Sequence, residues 1–235
     1  MKKLLFAGLL VLSLSFTTSA WALIYSDLLG PTGGGTATNG TSLTVNGAIF
    51  SVALPNTGAG TGAINSFLRL QAQGNSDFEK AYNTDDRSYG SGGNKPEFDA
   101  LSDPNFTRDV QLGQLPTVTI GGIEYFELIF DMNETQAHDK PLVSLHTLEL
   151  YVNTVAGAAS SYAAGLGNLV WTLDFAGNDN RIDLDSGIIG SGSGKYDVIA
   201  LFPTILLAPY ADDDYFYLYN MLGAVDTLPP GFPAE

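Results

Sequence analysis

The residues best equipped for chemistry in this 235-residue chain lie together in one stretch, DFAGNDNRIDLDSGIIGSGSGKYDV, from Asp174 to Val198. Asp174, Asp179, Asp183 and Asp185 supply carboxylate oxygens, Asn178 adds an amide, and the glycines let main-chain carbonyls turn inward. That donor set suits Ca2+, which takes roughly six to eight hard oxygen ligands. The spacing matches neither familiar calcium loop. Counting back from Gly187 puts Ile182 at the first ligand position of an EF-hand, and the single GND of residues 177–179 has no second turn to complete a calcium β-roll. Two readings stay open: these four aspartates hold Ca2+, the one cofactor suggested, or they are solvated turns between strands.

Other constellations are weaker. GIIGSGSGK lacks the first glycine of a phosphate loop, because Ile189 stands there, and Tyr196 replaces the hydroxyl residue that would bind Mg2+. His138 and His146 lie eight residues apart without nearby ligands. His146 alternates with Leu148, Leu150 and Val152, which predicts a hydrogen-bonded strand histidine rather than a base or metal ligand. Neither G-x-S-x-G nor H-E-x-x-H occurs, so those hydrolase templates are absent. Glu124, Glu127 and Glu149 could contribute to a glycosidase pair, but such a pair is defined by separation in space. In DDDYFYLYN the rings of Tyr215, Tyr217 and Tyr219 share one strand face, where they could stack on sugar or complete a packing surface. No residue is assigned to catalysis.

Composition bounds what these residues can serve. Lys2 and Lys3, the apolar run Leu4 to Phe16 and the A-x-A of Ala20 to Ala22 form the pattern of a signal peptide over residues 1–22, with the mature chain expected to begin at Leu23. Its removal leaves 8 basic against 25 acidic residues, a net charge of about −17. Such a charge opposes nucleic acid and anionic membrane surfaces and favours divalent cations. The chain has no cysteine, which closes disulfide and thiolate chemistry. After the signal no apolar run is long enough to span a bilayer. Residues 23–235 are expected to form a single domain.

The elements that must position these groups read as strands throughout. Short runs rich in Val, Ile, Leu, Phe and Tyr alternate with Gly, Asn, Asp and Pro, without a helical period. Asn46-Gly47 in SLTVNGAIFSV and Gly121-Gly122 in TVTIGGIEYFELIF each predict a type I′ hairpin. INSFLRLQA, LVSLHTLELYV, LVWTLDF, YDVIALF and DYFYLYN are further strand candidates. Phe126, Leu128 and Phe130 form one apolar face of a strand expected to lie inside a sheet. Residues 73–106 read as a long polar loop. The expected fold is all-β, a jelly-roll-like β-sandwich of about nine or ten strands with long polar loops.

GTGAINSFLRLQAQG with AYNTD, then LGQLPTVTIGGIEYFELIFDMNE, LVSLHTLELYV, GNDNRIDLDSGIIGSGSGKYDVIALFP and YFYLYNMLG together resemble a family of uncharacterised exported bacterial proteins of the PEP-CTERM-associated type. The likeness spans residues 60–223. Its most specific parts are the G-T-G-x-I opening with F-x-R-x-Q, the P-x-V-x-I-x-G hairpin and the GSGSG turn, which is followed here by Lys195 where such proteins have Asp. The final DTLPPGFPAE has neither the apolar span nor the basic cluster of a sorting tail. The resemblance implies export and a place in exopolysaccharide-rich matrix, and it transfers no catalytic residue.

The expected role is that of a secreted, non-enzymatic protein of the cell surface or extracellular matrix, stabilised by calcium and partnered by extracellular polysaccharide or a matrix protein. The alternatives are a polysaccharide-binding module, whose groove would expose tyrosines or Trp171, and a carbohydrate-active enzyme.

Overall fold

The computed structural model describes residues 25–27, 42–52, 65–71, 78–89, 96–131, 142–158, 165–175, 180–185 and 197–223, with the backbone alone for 25–27, 142, 184 and 185. Residues 1–22 and the GSGSG turn lie outside the described residues. The architecture is a β-sandwich. One sheet contains β2 (Ser42–Val45), β3 (Ala48–Val52), β6 (Thr117–Ile120), β7 (Ile123–Phe130) and β11 (Val198–Pro203), in the order β2-β3-β11-β7-β6. The other contains β1 (Tyr25–Asp27), β4 (Phe78–Tyr82), β5 (Val110–Gln111), β8 (Leu142–Asn153), β9 (Asn168–Thr172), β10 (Arg181–Asp185) and β12 (Tyr215–Gly223). Pairing is antiparallel apart from β1 with β10. The only helices among the described residues are 3-10 turns at Leu112–Gln114 and Thr204–Leu207.

Both hairpins form where the turn dipeptides lie. Asn46 and Gly47 have φ of 46° and 79°, and Gly121 and Gly122 have φ of 60° and 84°. Positive φ at both central residues is what the type I′ turn demands, and its twist matches that of the flanking strands.

Between the sheets lies the main core. Phe126, Leu128, Ala200, Phe202 and Phe50 from the five-stranded sheet meet Leu148, Leu150, Val152, Trp171, Leu173, Phe216 and Leu218 from the other. Phe126 and Phe202 stack with centroids 5.2 Å apart, while Trp171 meets Phe202 edge-on at 4.9 Å across the sandwich. Burying each such ring or branched side chain contributes about 1.5–3 kcal/mol. The Trp171 indole N–H donates to Asn46 O at 2.9 Å, and the Asn46 amide donates to Thr172 O at 3.1 Å. These reciprocal bonds tie the tip of the first hairpin to the opposite sheet.

Strand β8 is the spine of its sheet. It pairs with β12 on one side and with β10 and then β9 on the other. The register with β12 slips between Met221 and Leu222, so that Thr147 opposes Met221, Leu145 opposes Leu222 and His146 opposes neither. Leu145 and Leu148 therefore both reach the main core, although strict alternation would put them on opposite faces.

Several expectations need correction. INSFLRLQA is not a strand: residues 65–71 make one isolated bridge, Leu70 with Ala100, and their backbone bonds go to residues 99–108. Residues 73–106 are not loop throughout, because Phe78–Tyr82 forms β4 against β12. The acidic stretch contains β10, and the described residues hold twelve strands. These strands escape a periodicity reading because β1, β4, β5 and β10 have at most five residues each.

Candidate functional site

The acidic stretch separates into parts with different surroundings. Arg181 and Asp183 are two residues apart on β10, so both project from one face, while Ile182 between them enters the main core. Arg181 Nε lies 3.0 Å from one Asp183 carboxylate oxygen and Nη2 donates to the other at 3.3 Å. Ser144, directly opposite on β8, donates its hydroxyl to Asp183 at 2.6 Å. Asp183 is fully buried, and its charge is met by the guanidinium. A cation there would have to displace Arg181.

Asp174 sits just beyond β9, half-buried, and accepts the backbone N–H of Asn180 at 2.7 Å. The Asn180 side chain is buried. Its Nδ2 donates to Leu173 O at 2.7 Å, and its Oδ1 has no hydrogen-bond partner. Asp179 and the side chain of Asp185 lie outside the described residues. Among the described residues no three His, Asp or Glu groups converge as a metal-ligand set.

The tyrosines of β12 are enclosed. Tyr217 is fully buried and Tyr219 is 5 % exposed, and both belong to a second aromatic cluster with Tyr82, Tyr151, Ala158 and Leu166, against which Phe98 and the half-buried Tyr215 pack. This cluster covers the side of the sheet away from the main core. The Tyr217 hydroxyl accepts from Ala158 N at 3.1 Å and donates to Val155 O at 3.2 Å. Burial raises its pKa above the usual tyrosine range, and the Asp109 carboxylate adds to the shift. For Tyr219, burial first and then Glu149, Asp99 and Glu97 push the pKa up to about 12. Trp171, the other ring that a sugar groove could have exposed, is buried in the main core. His146 is also buried; its Nε2 bonds Gly223 O at 2.9 Å and its ring meets Phe78 edge-on.

A site that sequence reading passes over lies where residues 83–89 meet residues 102–109. A cleft of about 450 Å3 has Asp85, Arg87, Ser102 and Pro104 in its lining. Polar groups next to it in the chain hold its backbone in place. Thr84 donates to Ala158 O and accepts from Asp86 N, both at 3.0 Å. Asp109 accepts the backbone N–H of Asp85 and of Gly157. Burial raises the Asp109 pKa, and those two hydrogen bonds pull the other way. Arg87 donates from Nη1 to Thr84 O and to Asp86 O, and from Nη2 to Thr107 O. The guanidinium thus serves main-chain carbonyls, and among the described residues no carboxylate pairs with it. Asp86, its neighbour, is engaged instead with the N–H and hydroxyl of Ser88.

The one legible hint of this site is AYNTD followed by Asp86-Arg87-Ser88. Asp and Ser at such spacing close tight Asx turns. What brings Ser102 and Pro104 opposite them is tertiary structure.

No helix among the described residues is long and apolar enough to cross a membrane. No family model, curated protein or solved structure matches this chain, so its geometry carries the functional reading.

Proposed function

We propose that this is an exported, non-enzymatic protein of the cell surface or extracellular matrix, and that a calcium ion at the turn between β9 and β10 stabilises it. The observation that carries the calcium reading is the unpartnered Oδ1 of buried Asn180, whose backbone N–H bonds the Asp174 carboxylate. A buried amide oxygen without a donor costs about 1–3 kcal/mol. A hard cation would satisfy that oxygen, and carboxylates such as Asp174 supply the further oxygens it takes. Asp183, committed to Arg181, leaves the ligand set; Asp179 and Asp185 remain its further candidates. Export rests on the signal-peptide pattern and agrees with a net charge of −15 over the whole chain.

Thermal unfolding with added calcium tests the proposal. At free calcium near 100 times the dissociation constant the expected stabilisation is about 2.7 kcal/mol. Asp174→Asn, which keeps the acceptor for Asn180 N–H, should abolish most of that gain. Magnesium at equal ionic strength is the control for general screening of so acidic a chain. An equal shift with both ions, or none with either, would overturn the calcium reading.

A further inference from the structure

We infer that the cleft between residues 83–89 and 102–109 binds an uncharged, polyhydroxylated ligand, the hydroxyl face of a neutral sugar. This site is separate from the calcium turn and does not depend on it.

The argument starts from what each lining group has left to offer. A guanidinium has five N–H donors. Arg87 directs two from Nη1 and one from Nη2 to the carbonyls of Thr84, Asp86 and Thr107. Among the described residues its Nε–H and one Nη2 proton have no acceptor, and Arg87 lines the cleft. Asp85 is exposed, and among the described residues its carboxylate accepts no hydrogen bond, while its backbone N–H donates to Asp109. Ser102 is exposed, and its hydroxyl makes no hydrogen bond among the described residues. Pro104 adds an exposed apolar ring.

Charge balance selects the ligand. An anion attracted by Arg87 would face the Asp85 carboxylate, with the half-buried Asp109 close behind it. A cation attracted by Asp85 would face a guanidinium held in place by three carbonyls. A neutral ligand carrying adjacent hydroxyls meets neither penalty: one hydroxyl donates to Asp85, another accepts from Arg87, and Ser102 can do either. The Pro104 ring offers an apolar surface to the C–H face of such a ring. A volume of about 450 Å3 accommodates one or two hexose units.

The groups are also pre-positioned. Arg87 is pinned by its carbonyls, and the backbone of Asp85 is fixed through Asp109, which in turn holds Gly157. Little ordering entropy would be lost on binding.

The test uses full-length secreted protein labelled with 15N and titrated with neutral gluco-, galacto- and manno-oligosaccharides. Glucuronic acid and glucosamine oligosaccharides form the anionic and cationic arms. The expected result is a saturable shift of the Arg87 Nε–H resonance and of the Asp85 and Ser102 amides with at least one neutral sugar. Asp85→Ala, which keeps the backbone bond to Asp109, should weaken binding roughly tenfold or more, the range for a lost hydrogen bond to a charged group. Ser102→Ala should weaken it less and leave the unfolding temperature unchanged. Tighter binding of either charged sugar, no saturable shift with any neutral sugar, or affinity indifferent to Asp85→Ala would each overturn the inference.

Discussion

The side chain of Asn83 takes the place of a strand residue beside Leu218. Its Nδ2 donates to Phe216 O at 2.9 Å, and its Oδ1 accepts from Leu218 N at 2.6 Å. These bonds occupy one main-chain acceptor and one main-chain donor that β12 would otherwise offer to a neighbouring strand. On this side β12 pairs with β4 from Tyr219 onward and with β5 at Tyr215 and Phe216. Asn83, fully buried, fills the gap between the two short strands and also donates to Arg108 O at 3.2 Å. Asn83→Ala should therefore strand several buried main-chain groups and cost about 3 kcal/mol. For a domain of this size that is a fall of roughly 6–12 °C in Tm. A shift under a degree or two in calorimetry would show that the amide is dispensable.

Gly167 has φ of +104°, and a Cβ built on it would lie 2.3 Å from Val152 O. Strain and a clash with strand backbone therefore coincide, and neither can be relieved by a rotamer change. Gly167→Ala should destabilise by more than 2 kcal/mol, at the upper end of what single substitutions cost. Gly122→Ala, with φ of +84° but open space around its Cβ position, should cost less. Denaturant unfolding of both variants checks this order.

Removing Asp183 takes from buried Arg181 the carboxylate that meets its charge. Asp183→Ala alone should cost about 3–5 kcal/mol. Replacing both together, as Arg181→Met with Asp183→Leu, should cost much less than the sum of the single changes. Additive losses in that double-mutant cycle would mean the two charges do not stabilise one another.

Tyr217 and Tyr219 give the protein an alkaline limit. Their folded-state pKa values are raised, by burial first, so the neutral form is favoured in the folded state. This contribution is complete below the unfolded value of about 10. It is lost as pH rises above that value and through the raised folded values, because the folded state then holds more protons than the unfolded one. Stability should fall from near pH 10 upward. Absorbance at 295 nm should show these two hydroxyls ionising late, together with unfolding. Tyr219→Phe should flatten the decline, and an unchanged profile would contradict it.

The strands with clear alternation and glycine turns are legible in the sequence, because a hairpin needs only local information. Asn46-Gly47 and Gly121-Gly122 specify positive φ whatever surrounds them, and the apolar alternation of β7 selects the face that enters the core. Charge and the absence of cysteine likewise follow from composition alone. The fate of the chemically interesting residues does not. The same tyrosine stripe could have faced solvent; it is enclosed because Phe98, Ala158 and Leu166 cover the outer side of its sheet. Asp183 could have been a free ligand, but strand geometry aligns it with Arg181 and pairing with β8 brings Ser144 against it. His146 shares a sequence parity with Leu148, yet the bulge opposite Met221 and Leu222 breaks the alternation that would place them together. β4 depends on Asn83 reaching Leu218, 135 residues away, and the cleft depends on residues 102–109 closing over 83–89. Local sequence fixes backbone preference and the face of a strand; which surfaces then meet is set by long-range burial and hydrogen bonding, and these decide whether a polar group is spent on the fold or left for a ligand.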